Sequence, residues 1–402
     1  MNRRLYLAAI GSIGSTAVAG CTDELIGRST GENTAPADRD VPVDYQPADG
    51  DWIRRFGDLA NNTVSNTATP PRSAPREAWV VPTDTPVTGL SSVGDTIFAS
   101  TFENTHAISS ADGEVEWTAN DGGGATIIDG RRYVLDYETV RCMAIDRDEE
   151  RWRYEFDERV NDVLEVNQTV YVAAEEGLVG LHPDTGERRW NGSGTDETPQ
   201  WGFLGVGGGQ LHWMTRSSYR QYRPNGPEPP TETGTVSVAS LHQQYSPGPP
   251  VVADGRIYSG GGASHRTGVR EIGRSGLYWY RRFQPFTYSP AVLEDQLIIT
   301  GRRLLSDATE STITALHRDS KTEQWTRTVS EPVGYPVVAN GTVLVGGSRH
   351  SKTGTGELFA LDSWSGKVLW QQEFAGGVAG YELAVTGGMV VVGTREGVTA
   401  LV

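Results

Sequence analysis

Short apolar runs, joined in pairs by two-residue turns, recur along the chain from about residue 87 to residue 402. Most of the turn pairs are of the Asp-Gly, Asn-Gly or Gly-Gly kind, which supply the backbone conformation of a tight β-hairpin. The eight pairs are Gly94 and Asp95, Asp129 and Gly130, Asn167 and Gln168, Gly208 and Gly209, Asp254 and Gly255, Glu294 and Asp295, Asn340 and Gly341, and Gly387 and Gly388. Their first residues are 35 to 47 positions apart, the length of one propeller blade. The pattern predicts an all-β fold, an eight-bladed β-propeller of four-stranded antiparallel blades.

A tryptophan frame follows the third apolar run of several repeats. It reads "AISSADGEVEW" up to Trp117, "GLHPDTGERRW" up to Trp190 and "ALDSWSGKVLW" up to Trp370. A glycine stands four residues before each of these tryptophans, where a left-handed turn would favour it. A large flat side chain at the same place in successive blades is suited to sealing the interfaces between them.

Some repeats depart from this frame. Lys321 takes the glycine position before Trp325, and the turns before Trp152 and Trp279 are shorter. The fourth repeat has a proline-rich stretch, "NGPEPPTETG", before its expected fourth strand "TVSVASL", and that strand has no tryptophan. We therefore expect the fourth blade to form the weakest interface.

The two ends of the repeat region complement each other. "REAWVVP", around Trp79, is a fourth strand without a blade, whereas "GVTALV" ends the last repeat at its third strand. Pairing of these two strands would close the ring in the last blade and cover two exposed strand edges.

The frame A-L-D-x-x-T/S-G-x-x-x-W resembles the tryptophan-docking motif of the pyrroloquinoline-quinone (PQQ) repeat family, over about residues 76–402. The resemblance implies that each tryptophan packs between neighbouring blades, that the glycine makes the turn and that the alanine leaves room for the ring. Two kinds of function occur on this architecture. One is that of BamB-like lipoproteins, which are noncatalytic assembly modules, and the other is that of PQQ-dependent quinoprotein dehydrogenases.

The composition is acidic, with a net charge of −16 and only three lysines among 35 basic residues. It resembles the composition of haloarchaeal proteins, in which carboxylates hold water at molar salt. No basic stripe offsets the acidity, and neutralising phosphates requires clustered cations, so nucleic acid is not an expected partner.

The first 21 residues, "MNRRLYLAAIGSIGSTAVAGC", have the pattern of an export signal. The twin arginine, Arg3 and Arg4, resembles the Tat signal, and the small residues before Cys21 resemble a lipobox, so Cys21 is the predicted lipidation site. A plain cleaved signal is the alternative. Residues 22–75 are rich in Asp, Asn, Thr and Pro and predict a disordered tether. The domain prediction is thus a signal over 1–21, a tether over 22–75 and the propeller over 76–402.

Residues for catalysis or metal binding do not stand out. Quinoprotein dehydrogenases typically carry adjacent cysteines and a calcium site, whereas the cysteines here are Cys21 and Cys142, and Cys142 lies in an apolar alternating run that predicts burial. His182 and His317 occupy equivalent turn positions three blades apart, too far to share a metal ion. We therefore expect no catalytic residue, no metal and no cofactor.

Long loops and aromatic residues collect on one predicted face of the ring. Loops between second and third strands share this face with the connections between blades, and aromatic and arginine side chains are common at binding hot spots. The candidate partner-binding residues, over blades 5 to 7 and the mouth of the channel, are Trp201, Tyr288, Tyr335, Tyr381, Arg302, Arg303, Arg349 and His350.

The sequence thus predicts an exported, lipid-anchored, noncatalytic binding or assembly module on the extracellular face of the cell membrane. We expect it to be a monomer that binds a protein, peptide or glycan and that contacts the membrane only through its anchor. The alternative is a PQQ-dependent dehydrogenase or another propeller enzyme.

Overall fold

A computed structural model describes residues 48, 50–192, 202–215, 218–237, 248–261, 268–273, 276–283, 286–304, 309–348 and 355–402. These residues form 34 β-strands in eight small sheets, arranged as the blades of a propeller. The predicted all-β, eight-bladed fold is confirmed. Within the described ranges, no helix of the length and apolar character needed to cross a membrane is found.

The first four blades each contain four consecutive antiparallel strands. Blade 1 consists of β3 (Val87–Val93), β4 (Thr96–Thr101), β5 (Thr105–Ser109) and β6 (Val115–Ala119). Blade 2 consists of β7 (Ala125–Ile128), β8 (Arg131–Asp136), β9 (Thr139–Ala144) and β10 (Glu150–Glu155). Blade 3 consists of β11 (Val160–Val166), β12 (Thr169–Ala174), β13 (Gly177–Leu181) and β14 (Arg188–Trp190). Blade 4 consists of β15 (Gly202–Gly207), β16 (Gln210–Thr215), β17 (Ser218–Asn225) and β18 (Glu228–Ser237).

The other four blades include one added strand, one broken inner strand and one exchanged strand. Blade 5 consists of β19 (Val251–Ala253), β20 (Arg256–Ser259), β21 (Gly268–Gly273) and β22 (Gly276–Arg282). Blade 6 begins with the broken inner strand β23 (Phe286–Thr287) and β24 (Ala291–Val292), followed by β25 (Gln296–Leu304), β26 (Thr309–His317) and β27 (Glu323–Val329). Blade 7 consists of β28 (Val337–Ala339), β29 (Thr342–Ser348), β30 (Thr355–Asp362) and β31 (Val368–Ala375), with β1 (Val64–Ser65) parallel to β28. Blade 8 consists of β32 (Val378–Thr386), β33 (Met389–Thr394), β34 (Gly397–Leu401) and β2 (Glu77–Pro82).

The predicted turn pairs join the innermost strand of each blade to its second strand. In five turns both central residues have positive φ, as in Asp129 (47°) and Gly130 (70°), or Asn340 (42°) and Gly341 (71°). This is the turn geometry whose twist matches two antiparallel strands. These turns define the bottom face of the ring, and the innermost strands begin at the opposite, top face.

The repeated tryptophans seal the blade interfaces, as the motif predicts. Gly186 has a φ of 71°, and a Cβ atom there would lie 2.6 Å from the ring of Trp152, which belongs to the preceding blade. The Trp152 indole N–H donates to the carbonyl of Pro183, 2.6 Å away, in the same turn. The glycine thus serves two needs, a left-handed turn and room for the neighbouring blade's ring.

Two departures from the repeat are accommodated in different ways. Lys321 keeps the left-handed conformation of the glycine that it replaces, with a φ of 58°, and pairs with the buried Glu271. In blade 4 the prediction was wrong about the fourth strand. It begins at Glu228, so the proline-rich stretch lies within a long outer hairpin rather than in a loop. An outermost strand tolerates proline because one of its sides needs no hydrogen-bond donor.

The ring closes in blade 8 as predicted, since β2 pairs antiparallel with β34 and brings Val80 opposite Thr399. Blade 8 therefore lacks the covalent turn between its third and fourth strands on which the blade 7 tryptophan would dock. The carbonyl of Pro71 takes that place and accepts the indole N–H of Trp370 at 2.7 Å. Arg72 then binds Asp362 of blade 7 at 2.6 Å.

The predicted tether over residues 22–75 needs correction in its second half. Trp52 and Ile53 are 2% and 0% exposed, and β1 adds to the sheet of blade 7. Residues 50–75 therefore belong to the folded body, because their apolar side chains are buried against the innermost strands. The signal over 1–21 and the tether up to residue 47 lie outside the described residues.

Candidate functional site

The channel segment, residues 51–69, passes around the inside of the ring near its bottom face. It forms hydrogen bonds with the innermost part of each blade in turn, from blade 1 to blade 8. The bonded pairs are Trp52 with Ser92, Ile53 with Ile127, Arg54 with Asp162, Leu59 with Val206, Ala60 with Val252, Asn62 with Val292, Thr63 with Val338, and Thr69 with Gly387. Most of these contacts lie next to the hairpin turns, so the segment lines the bottom end of the channel.

One turn of this segment projects into the channel. Arg54 and Gly57 exchange backbone hydrogen bonds of 3.3 and 2.9 Å, which leaves Arg55 and Phe56 at the tip. Gly57 has a φ of 88°, and a Cβ atom there would lie 2.6 Å from the carbonyl oxygen of Asn62. The tight return therefore requires glycine, and residues Arg54–Gly57 are termed the channel turn below.

Both arginines of the channel turn are paired with buried carboxylates. Arg54 donates to Asp162 of blade 3 at 2.6 Å, and both side chains are almost fully buried. Arg55 donates to Glu382 of blade 8 at 3.2 Å. Because a buried charge is costly unless it is paired, these contacts fix the channel turn to two distant blades.

A series of aromatic rings leads from the channel turn to the top face. The Phe56 ring lies 6.0 Å from that of Phe203 in blade 4 and 5.0 Å from that of Tyr335 at the start of blade 7. Tyr335 is in turn 4.9 Å from Tyr288 of blade 6, and the Arg302 guanidinium lies 6.0 Å from the Tyr288 ring centroid. Ring separations in this range are favourable aromatic contacts. Three of the predicted partner-binding residues, Tyr288, Tyr335 and Arg302, therefore come together at the channel mouth.

The other predicted partner-binding residues cannot be placed in the same way. Trp201, Arg349 and His350 lie outside the described residues. The backbones of Arg303 and Tyr381 lie in β25 and β32, but their side chains are not among those described.

Sequence reasoning missed several aromatic residues of this face, among them Phe203. Phe56 falls within the predicted tether, although a disordered segment seldom carries apolar residues as closely spaced as Trp52, Ile53, Phe56 and Leu59. That spacing is the signal that could have revealed the channel segment. Phe102 and Tyr137 are 70% and 64% exposed in the loops between second and third strands of blades 1 and 2. They extend the aromatic character of the top face beyond blades 5 to 7.

Carboxylates around the channel segment have raised pKa values. Burial raises the pKa of Glu382 to about 7, although Arg55 opposes the shift. Burial likewise raises the pKa of Asp58 to about 6, against hydrogen bonds from the backbone of Asn62 and Ala60. Each native carboxyl therefore holds its proton to a higher pH than the same group does in the unfolded chain.

These shifts predict that the free energy of unfolding contains a part that falls as pH rises. The contribution of Glu382 is complete below its ordinary pKa of 4.5 and is lost as pH rises through about 7. Each pKa unit corresponds to about 1.4 kcal/mol. We expect Glu382→Gln to remove this part, so that urea unfolding at pH 5 and pH 8 shows a smaller decrease in the variant than in the wild type.

The comparison between variant and wild type is needed because Asp58, with a pKa raised to about 6, also titrates between pH 5 and pH 8. Glu149→Gln, at a side chain 56% exposed, is the matched control and should leave the pH dependence unchanged. An equal pH dependence in the Glu382→Gln variant and the wild type would contradict the assignment.

Among the described residues, those of the channel turn do not fit pyrroloquinoline quinone. The quinone is a planar tricarboxylate, and both channel-turn arginines already face carboxylates, Asp162 and Glu382. Cys142 is a buried free thiol with no cysteine next to it in the sequence. Burial raises its pKa to about 12, which leaves it little thiolate character. In the part of the chain that the structure describes, no group of three or more His, Cys, Asp or Glu residues could hold a metal ion.

His182 and His317 have a structural role in their turns. The backbone N–H of Asp184 donates to Nδ1 of His182 at 3.1 Å, and that of Ser320 donates to Nδ1 of His317 at 3.3 Å. In blade 7 the equivalent Asp362 accepts the N–H of Ser365 at 3.0 Å in the same way. Histidine thus replaces aspartate as the acceptor that shapes the docking turn.

Solved structures share this architecture at low sequence identity. A europium-containing methanol dehydrogenase superposes with a TM-score of 0.66 at 13% identity, covering 86% of this chain and 90% of the other. BamB from Moraxella catarrhalis gives 0.60 at 14% identity, with 82% and 99% covered. The quinohemoprotein alcohol dehydrogenase of Comamonas testosteroni gives 0.64 at 12% identity, with 88% and 80% covered. These likenesses show the fold alone.

Comparison of the sequence with curated proteins and with family models is more specific than the structural superpositions. No curated protein matches the chain. A family model described as outer membrane protein assembly factor BamB matches residues 102–208 and 309–401, which include the docking frames of Trp117, Trp190 and Trp370. Together with the eight-bladed fold, this match identifies the chain as a member of the BamB-like family of PQQ-repeat β-propellers.

Proposed function

We propose that this protein is a noncatalytic binding module, exported and lipid-anchored through Cys21, that holds a protein or peptide partner on its top face. The observation that carries the proposal is the series of rings from Phe56 through Tyr335 to Tyr288, with Arg302 beside it, at the mouth of the channel. Aromatic and arginine side chains clustered near the centre of a face are the residues that most often dominate binding energy.

The point at which the chain enters the propeller supports an orientation in which the top face points away from the membrane. The backbone N–H of Gly94, in the first hairpin turn, donates to Asp51 at 2.9 Å, so the chain joins the propeller at the bottom face. With a lipid on Cys21, the bottom face would lie towards the membrane. The top face would then be presented to partners away from the lipid surface.

An enzymatic role is the alternative, because two of the similar structures are dehydrogenases by their names. Fold alone does not confer function. The pairing of both channel-turn arginines and the buried, single Cys142 support a binding role over quinone chemistry. We infer that the channel serves as a rigid support for the docking surface.

The proposal predicts that loss of the mouth residues weakens partner binding. The triple variant Tyr288→Ala, Tyr335→Ala and Arg302→Ala removes two rings and one guanidinium from the top face. Partners captured by cross-linking to the wild-type protein on intact cells should bind the purified variant at least tenfold more weakly, corresponding to about 1.4 kcal/mol or more. Binding is measured by titration of each captured partner.

A matched variant on the bottom face controls for nonspecific effects. Trp364 and Arg147 are 63% and 59% exposed in turns between third and fourth strands. Trp364→Ala with Arg147→Ala should leave affinity unchanged. Undiminished affinity in a folded triple variant, or loss of affinity in the bottom-face variant instead, would show that the partner does not dock at the mouth.

A further inference from the structure

A cavity of about 440 Å³ lies beside the channel turn, between it and blades 2 to 4. Its volume is within the usual range of small-molecule sites, about 300–1,000 Å³. Tyr335, which also belongs to the ring series at the mouth, lines it, as does Asn161 at the start of blade 3. The cavity therefore adjoins the proposed docking surface.

One side of the cavity is aromatic. Phe56, Phe203 and Tyr335 line it, and the Phe56 ring is already packed edge-on to Phe203 and tilted against Tyr335. The chain's own phenylalanine thus shows how these walls hold an aromatic ring. A second ring entering the cavity would extend the same series of contacts.

The polar side carries an unsatisfied acceptor beside the two paired arginines, Arg54 and Arg55. Asp162 is fully engaged, since it accepts from Arg54, from the N–H of Val163 and from the N–H of Leu204. In contrast, the buried Oδ1 of Asn161 accepts no hydrogen bond from any residue that the structure describes. A buried acceptor left without a donor is unfavourable, so a ligand that donates an N–H or O–H group there would be stabilised.

We propose that this cavity receives a tyrosine or tryptophan side chain of the docked protein partner, with its O–H or N–H group donated to Oδ1 of Asn161. This inference rests on the proposed function and adds the chemistry of the partner's anchor. A carboxylate ligand would find both arginines paired, and an aliphatic side chain would leave Asn161 without a donor. The exposed Phe102 and Tyr137, on the top face of blades 1 and 2, would border the same contact.

The test uses two soluble amides, N-acetyltyrosinamide and N-acetylphenylalaninamide, which differ only in the phenol O–H group. Their affinities for the full-length protein are measured by NMR titration. The tyrosine amide should bind about threefold to tenfold more tightly, as expected for one hydrogen bond. Asn161→Leu should remove this preference while leaving binding of the phenylalanine amide within about twofold.

Gly124→Leu blocks the cavity with little risk to folding. A Cβ atom at Gly124 meets no atom within 4 Å, and the residue does not have the left-handed backbone that would resist substitution. This variant should weaken binding of both amides at least tenfold. Gly388→Leu, at a bottom-face turn where a Cβ atom also has no contact closer than 4.0 Å, is the matched control and should bind as the wild type does.

The outcomes separate this inference from the proposed function. Equal affinity for the two amides, no saturable binding of either amide, or unchanged binding in a folded Gly124→Leu variant would overturn the anchor inference. The docking face would still stand if the mouth variant lost its partners. Conversely, amide binding with partner affinity retained by the mouth variant would overturn the docking face and leave the cavity as a site for small aromatic molecules.

Discussion

Replacing Trp79 with alanine is expected to lower the free energy of unfolding by about 3–5 kcal/mol, the usual cost of removing a buried tryptophan. Trp79 lies in the exchanged strand β2, is 8% exposed, and packs its ring on Gly113 of blade 1. Its indole N–H donates to the carbonyl of Ser110 at 3.0 Å. The side chain therefore joins blade 8 to blade 1 at the point where the ring closes. Urea unfolding followed by circular dichroism measures the loss.

Trp364 provides the matched control, because the same substitution there removes a tryptophan that is 63% exposed. Trp364→Ala should change the free energy of unfolding by no more than about 0.5 kcal/mol. Equal stability of the two variants would mean that the tryptophan at the closure does not hold the ring together.

The substitution Asp121→Ala is expected to cost a similar amount, about 3–5 kcal/mol, because it leaves a buried arginine without its counter-charge. Arg132 of blade 2 donates to Asp121, which follows blade 1, at 2.6 Å, and both side chains are 0% exposed. The guanidinium also lies 5.1 Å from the ring centroid of Trp117. Burial lowers the pKa of Arg132, while Asp121 opposes that shift, so loss of the carboxylate removes the group that favours the charged form.

The double variant Asp121→Ala with Arg132→Met distinguishes the loss of a charge partner from the loss of packing. Removing both charges should recover a large part of the stability lost in Asp121→Ala. Asp146→Ala, which breaks an ion pair with both side chains about 60% exposed, should have little effect. A double variant no more stable than Asp121→Ala would contradict the explanation by an unpaired charge.

The channel segment gives the ring a second means of closure. The strand pair β2–β34 closes the ring within the last blade only. Residues 51–69, in contrast, contact the innermost strands around the whole ring. Pro71 then supplies the acceptor for Trp370 that a covalent turn supplies in other blades. The N-terminal part of the folded body is thus an integral element of the propeller.

The sequence by itself determined the propeller, the number of its blades and the strand exchange at Trp79. These features depend on local signals, namely two-residue turns with positive φ and alternating apolar residues. The signals recur from repeat to repeat along the chain. A single irregular repeat, such as that containing Lys321 or the prolines after Asn225, could not obscure the count. The error at β18 arose where proline, normally a sign of a loop, stands on an outermost strand.

Only the tertiary structure decided what fills the channel. The contact of Arg55 with Glu382 spans 327 positions of the chain, and that of Arg54 with Asp162 spans 108. The channel segment occurs once, so it has no repeated pattern, and many of its hydrogen bonds link it to distant blades. The grouping of Phe56 with Tyr335 and Tyr288 likewise depends on where the chain crosses the ring. Repeated local patterns can be read from sequence, whereas a single segment stabilised only by distant partners becomes visible when those partners are placed in space.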